Sequence, residues 1–162
     1  MKSTLVILTR NEIVGARSLF DRMPFRDFDE TLVIDYKSND GTPDFFKSKG
    51  IKVIAQENPG RGTAMQLAAK ISENDILVFF GPDGNEDPND CPKLKNLVLA
   101  GNDMAIASRF LPGGRNEEDG KVLKTRAWAN RFFTACVRFF WGGDVTDSIN
   151  GFRAVKKSAL NG

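Results

Sequence analysis

A chain of 162 residues with 23 Lys and Arg against 21 Asp and Glu has a formal charge of only +2, too small to imply nucleic acid as a partner. Its length suits a single domain over residues 1–162 with its own core, and 41% hydrophobic with 27% charged residues excludes disorder, collagen and coiled coil. Histidine is absent, which excludes Ser-His-Asp and Cys-His catalysis and every histidine-ligated metal, so acid–base or metal work falls to Asp, Glu, Lys or Arg.

From Met1 the chain runs straight into an apolar segment with no secretory pattern, and no apolar run reaches membrane-spanning length; a cytoplasmic location is expected. Leu5 to Leu8 predicts a first strand and Glu12 to Met23 a helix. Thr31 to Asp35 predicts a second strand. The next helix opens at Thr42-Pro43-Asp44, with Thr42 as N-cap, Pro43 in the first turn and Asp44 complementing the dipole. Ile51 to Ala55 predicts a third strand, Gly62 to Ser72 a helix, and Ile76 to Phe80 a fourth strand. Pro92 to Ala100 predicts a helix stopped by Gly101, and Met104 to Ala107 a short fifth strand. Continuous apolar strands of this kind suit a sheet buried on both faces. Their alternation with helices predicts an α/β fold: a doubly wound, mostly parallel sheet flanked by helices. Cys91 and Cys136 stand far apart, in no metal-ligand spacing, and read as plain thiols.

Beyond Phe110 the character changes. Leu111 to Gly120 is a loop rich in glycine and charge. Lys121 to Trp141 is a basic, aromatic, amphipathic segment. It carries Lys121, Lys124, Arg126, Arg131 and Arg138 and no acid, interleaved with Trp128, Phe132, Phe133, Phe139, Phe140 and Trp141. Two readings stand side by side: aromatics packed on the sheet, or a helix lying in a membrane interface.

In a doubly wound sheet, ligands bind beyond the carboxyl ends of the strands. Those ends read Thr9-Arg10-Asn11-Glu12, then Asp35 through Thr42, then Gln56 through Gly62, then Gly81 through Pro88, then Ser108-Arg109-Phe110. Most hold a carboxylate, suited to ribose and base donors or to a hard divalent cation. The arginines suit phosphate. Gly60-Arg61-Gly62 ahead of a helix turns backbone N–H groups toward an anion.

These segments resemble the motifs of the family-2 glycosyltransferases, especially the polyprenyl-phosphate (dolichyl-phosphate) sugar synthases. The matching stretches are Leu8 to Glu12, Asp35 to Thr42, Pro59 to Ala64, Gly81 to Pro88, Ser108-Arg109-Phe110 with Gly113-Gly114, and Asp147 to Arg153. They follow the family's order over nearly the whole chain. Two departures stand out. Gly81 replaces the first Asp of the metal-binding Asp-x-Asp turn, and Tyr36 replaces the second Asp of the Asp-Asp-Gly-Ser turn.

The resemblance implies a GT-A, nucleotide-diphospho-sugar transferase-like fold and a metal-dependent, inverting hexosyltransferase. Its donor would be a GDP- or UDP-linked sugar, and its acceptor a polyprenyl phosphate at the cytoplasmic membrane face. It implies donor binding by Thr9, Asn11, Glu12, Asp35, Ser38, Asp40, Arg61 and Asp83. Mg²⁺ or Mn²⁺ would sit at Asp83 with Asn85, and with Glu86 or Asp87 as further helpers. Arg109, with Arg126 or Arg131, would position the acceptor phosphate, and Asp147 would orient these arginines or the acceptor. Relatives continue beyond Gly-Phe-Arg, so a truncated or minimal member is expected. Gly81 and Tyr36 keep open a second reading, a degenerate domain that binds nucleotide or a partner without turnover. An NAD site is disfavoured, because the first strand lacks a following G-x-G-x-x-G. A sugar nucleotidyltransferase is disfavoured because no Gly-rich basic loop follows that strand.

Overall fold

Strand β1 (Ser3–Thr9) runs through the middle of the sheet and is buried along almost its whole length in the computed structural model, which describes residues 1–108, 132–136, 139–140, 146–148 and 150–160. The chain forms two units, one of Met1–Ala105 with Phe152–Gly162 and one of Ile106–Gly151.

In the first unit β1 pairs in parallel with β2 (Glu30–Asp35) on one side and β4 (Ile76–Phe80) on the other, and β2 pairs in parallel with β3 (Lys52–Ala55). With β5 (Met104–Ile106) and β6 (Arg153–Lys156) the order is β3-β2-β1-β4-β6-β5. Every residue of β4 is buried, as a central strand covered on both faces requires. Leu77, Phe79 and Val6 pack with Ile34, Val155 and the small Ala64, Ala68 and Ala69 of helix α3 (Arg61–Ile71). Those alanines let the helix axis approach the sheet. Phe46, in helix α2 (Thr42–Ser48), is fully buried and meets Phe20 and Phe45 at centroid distances of 6.3 and 5.4 Å. A fully buried side chain of that size contributes about 2–3 kcal/mol. Cys91 opens helix α4 (Cys91–Leu99) with no exposed surface, and burial raises its thiol far above the usual range.

The expected strands and helices are present, with three corrections. The helix expected over Glu12 to Met23 is only α1 (Ile13–Leu19), followed by a tight turn at Phe20–Arg22; Pro24 stops any continuation. The cap of α2 is Gly41 at φ 90°, not Thr42, because Thr42 is already helical and its hydroxyl is engaged elsewhere. Strand β6 was not anticipated. It slots antiparallel beside β4, Val155 opposite Leu77, and separates β4 from β5. Its apolar content is a mere Ala154-Val155 between charges, so only pairing with a strand far back in the chain makes it a strand. The expected stop at Gly101 holds: at φ 118° its N–H donates to the Val98 carbonyl at 3.1 Å.

In the second unit residues 132–136 are helical. The Thr134 hydroxyl lies 3.1 Å from that of Ser148 and accepts the Ser148 N–H at 3.2 Å. Phe132, Phe133, Phe139 and Phe140 are exposed by 53%, 56%, 84% and 69%, so these aromatics of the basic segment do not fill a core. Trp128, Trp141 and the segment's cations lie outside the described residues. Among the described residues no helix is long and apolar enough to cross a membrane.

Candidate functional site

The chain leaves β1 for β2 and β3 on one side, then returns to place β4 on the other. Such a reversal opens a crevice at the carboxyl ends of the strands around β1. Loops from β1, β2, β3 and β4 meet there.

Asp35, at the end of β2 and only 5% exposed, organises the first two loops. Its carboxylate accepts from the Thr9 hydroxyl at 2.7 Å, the Ser38 N–H at 3.0 Å and the Ser38 hydroxyl at 2.5 Å. Ser38 Oγ in turn accepts the Asn11 N–H at 2.8 Å, and Asn11 Oδ1 accepts the Asn39 N–H at 2.9 Å. Asn11 and Lys37 adopt φ of 57° and 51°, a turn geometry that these cross-links hold in place.

Asp40 and Thr42 cap α1 from across the crevice. Thr42 Oγ1 accepts the Glu12 N–H at 3.0 Å, and Asp40 Oδ2 accepts the Ile13 N–H at 2.9 Å. Asp40 also receives the Thr42 hydroxyl at 2.6 Å and the Thr42 N–H at 3.0 Å. Burial pushes the Asp40 carboxyl up, but these hydrogen bonds from Thr42 and Ile13 outweigh it, and the net shift is downward. A carboxylate with a lowered folded-state value adds stability above the ordinary range, near pH 4, and loses it as pH falls through that range. Asp40→Asn is therefore expected to lose less stability on acidification than the parent. Urea titrations at a series of acid pH values with equal slopes for both proteins would count against this.

Glu12 sits where the loops meet. Burial raises its carboxyl, the charges of Asp83 and Asp40 add to the rise, and Arg61 opposes it. Asp83 is exposed at the turn after β4, and its Oδ1 accepts the Asn85 N–H at 3.0 Å. Gly84 closes that turn at φ 92° and brings the chain back, so that Glu86 Oε2 accepts the Gly81 N–H at 2.6 Å. Arg61 Nη2 stands 3.7 Å from Glu86 Oε1. At the rim the Arg10 guanidinium lies over the Tyr36 ring at 5.2 Å, a cation–π stack. Beside Glu12, Arg61, Arg10 and Tyr36 lies a cavity of about 240 Å³, lined also by Thr9 and Gly60, among others. The α3 N-terminus opens onto it, with Gly60 at φ 112° and no side-chain cap. Gly60 has no side chain with which to cap the first N–H groups of the helix, a setting that suits an anion.

Thus Thr9, Asn11, Glu12, Asp35, Ser38, Asp40, Arg61, Asp83 and Asn85 all lie at one edge of the first unit. Asp147 lies in the second unit, buried, its Oδ1 accepting the Asn150 N–H at 3.2 Å. Arg109, Arg126 and Arg131 lie outside the described residues. Sequence reasoning passed over Gly15, which packs under the Asp83 turn; a glycine inside a helical pattern was the available signal. It also took Thr42 for a cap of its own helix. Among the described residues no three Asp, Glu or Cys side chains gather closely enough to hold a metal unaided. The oxygen donors of Asp83 and Glu86 suit Mg²⁺ or Mn²⁺ only with a ligand's phosphates completing the shell.

The family model for glycosyl transferase family 2 matches residues 5–162. The chain belongs to this family. Among its relatives, the dolichol-phosphate mannosyltransferase of Pyrococcus furiosus is 27% identical over 174 residues, covering 100% of this chain and 48% of that protein. Glycosyltransferase AglJ of Haloferax volcanii is 29% identical over 135 residues, 82% of this chain and 43% of that one. The undecaprenyl-phosphate mannosyltransferase of Micrococcus luteus is 28% identical over 173 residues, 99% of this chain and 68% of that one. The chain thus spans about half the length of the first two of these relatives. The fold is that of the GT-A glycosyltransferases. Glucosyl-3-phosphoglycerate synthase from Mycobacterium tuberculosis, solved with Mn²⁺, UDP and phosphoglyceric acid, superposes with a TM-score of 0.73 at 23% identity. It covers 97% of this chain and 56% of that one.

Proposed function

We propose that this chain transfers a sugar from a GDP- or UDP-linked donor to a polyprenyl phosphate, with inversion, while resting on the cytoplasmic face of a membrane. The observation that carries this reading is the 240 Å³ cavity at the strand reversal, with the uncapped α3 N-terminus and Arg61 on one side and Thr9 and Glu12 on the other. A diphosphate fits the N–H groups and guanidinium, and a nucleoside fits the space along Tyr36 and Arg10. Membership of family 2, and relatives named for dolichol phosphate and undecaprenyl phosphate, support the chemistry and the acceptor. The exposed Phe139 and Phe140 beside a basic stretch support the membrane surface.

In this reading the acceptor phosphate oxygen attacks the anomeric carbon in line. It is already anionic and needs no strong base, which suits a chain without histidine. Mg²⁺ or Mn²⁺ at Asp83, with Asn85 beside it, offsets charge on the departing diphosphate when bound. Arg109, with Arg126 or Arg131, positions the acceptor phosphate, and Asp147 orients those arginines or the acceptor. Asp35, Ser38 and Asp40 hold the loops on which Asn11 and Glu12 meet the nucleotide.

A thermal-shift and calorimetric panel of GDP, UDP and other nucleotides, each with and without Mn²⁺, tests the reading. Stabilisation by at least one nucleoside diphosphate, increased by Mn²⁺, is expected, and Asp83→Ala should remove the Mn²⁺-dependent part. No stabilisation by any of them would sink it. A second reading, binding without turnover, draws on Gly81, which brings no carboxylate to the metal turn. Donor binding with no metal-dependent transfer or hydrolysis of any nucleotide sugar would favour it.

A further inference from the structure

Position 81 is the point at which this chain departs from its family's metal turn, and the space beside it is filled. A Cβ placed on Gly81 would lie 3.3 Å from Arg61 Nη2 and 3.5 Å from Glu86 Oε2. A carboxylate and a cation therefore already stand where a side chain from residue 81 would project. The carboxylate arrives from five residues downstream, carried back by the turn at Gly84 and fixed by the Gly81 N–H at 2.6 Å.

The two side chains differ in character. Glu86 is 8% exposed and Arg61 is 51% exposed. Their 3.7 Å separation is too long for a hydrogen bond, so charge rather than a fixed geometry joins them. A buried carboxylate requires a cation nearby, and a loosely seated, half-exposed guanidinium is one that another cation can displace. Asp83 and Glu86 stand in the same short turn after β4, which Gly84 reverses at φ 92°. Arg61 also opens α3, at the mouth of the cavity that suits a diphosphate.

Resting on the nucleotide-and-metal reading above, we propose that Glu86 supplies the carboxylate that Gly81 lacks, and that Arg61 is its place-holding cation. Arrival of a divalent metal displaces the guanidinium from Glu86 and frees it to pair with the donor diphosphate. The metal then has carboxylate oxygens from Asp83 and Glu86, phosphate oxygens and water, a shell that Mg²⁺ and Mn²⁺ accept. Arg61 gains a partner whose geometry matches its planar fork. A divalent cation thus replaces a monovalent one at Glu86, its added charge met by Asp83 and the diphosphate, which also gives the guanidinium a new anionic partner.

The test measures Mn²⁺ binding by the electron paramagnetic resonance signal of free Mn²⁺, on the full chain, with and without UDP or GDP. In the presence of nucleotide, Glu86→Gln is expected to weaken Mn²⁺ binding about tenfold or more. Returning the acid to position 81, as Gly81→Asp in the Glu86→Gln background, is expected to recover most of that loss. Arg61→Gln is expected to strengthen Mn²⁺ binding to the nucleotide-free chain and to weaken binding of the nucleotide itself. A merely structural Glu86, holding the turn through the Gly81 N–H, predicts neither the recovery nor the gain. Circular dichroism checks that each variant is folded; should Glu86→Gln unfold, Arg61→Gln decides alone. Unchanged Mn²⁺ affinity in folded Glu86→Gln, or in nucleotide-free Arg61→Gln, overturns the assignment. If the parent chain binds no nucleoside diphosphate at all, the functional reading fails, and this one falls with it. If nucleotide and Mn²⁺ bind but the variants do not respond, the assignment of Glu86 and Arg61 alone fails.

Discussion

Gly15→Ala is expected to destabilise the protein by about 3 kcal/mol, although alanine is the better helix former by about 1 kcal/mol. Gly15 lies within α1, and a Cβ there would come 1.8 Å from the Pro82 carbonyl oxygen and 3.0 Å from its carbon. Both are main-chain atoms of the turn that carries Asp83, so no flexible side chain can move aside. Either α1 lifts from the sheet or the turn shifts. In both cases Glu12, the cap residue just before α1, and Asp83 change their separation. Nucleoside diphosphate affinity is therefore expected to fall together with stability, although the substitution touches no proposed ligand. Urea unfolding and calorimetry on the same protein check this. A variant as stable as the parent, or more so, would show that helix propensity wins and that the approach of α1 to Pro82 is looser than 1.8 Å implies.

The second large effect is expected at Asp35. Asp35→Ala removes the acceptor for the Thr9 hydroxyl, the Ser38 N–H and the Ser38 hydroxyl in a site that is 5% exposed. Donors stranded in such a place cost about 1–3 kcal/mol each if they find no water, so a loss of roughly 3 kcal/mol is expected. Asp35→Asn keeps the shape but turns an amide N–H₂ toward donors, and should cost less. This differs from what a ligand exposed at a strand end would do. Such a residue would leave stability within about 0.5 kcal/mol and lower only nucleotide affinity. Chemical denaturation of both variants beside nucleotide titration separates the two roles.

The α/β class and the family itself were legible in the residues, as was the set of polar strand ends that the sheet brings to one edge. Strands such as Ile76–Phe80 are short, wholly apolar and bounded by polar residues, a pattern that leaves few other structures open. The motif residues from Thr9 to Asn85 were legible as a set. Their division of labour was not. Asp35 and Asp40 look alike in sequence as strand-end acids. In space one ties two loops together, and the other caps a helix that begins before it in the chain.

What the sequence by itself determined is therefore the local part: apolar periodicity, helix stops such as Gly101, and the residue types available for phosphate and metal chemistry. The tertiary structure alone decided the rest. Strand β6 exists only because β4 offers an edge to pair with, and that edge comes from residues 76–80. Glu86 reaches Gly81 only because Gly84 reverses the chain, and it meets Arg61 only because α3 begins at the same edge. Hydrophobic pattern is written residue by residue, since burial depends mainly on each side chain's own chemistry. A hydrogen bond or ion pair between distant residues depends on a few tenths of an ångström in the placement of separate loops, which no local pattern encodes. The glycine at position 81 read, in sequence, as a missing ligand. In the folded chain it is the space into which another carboxylate has come.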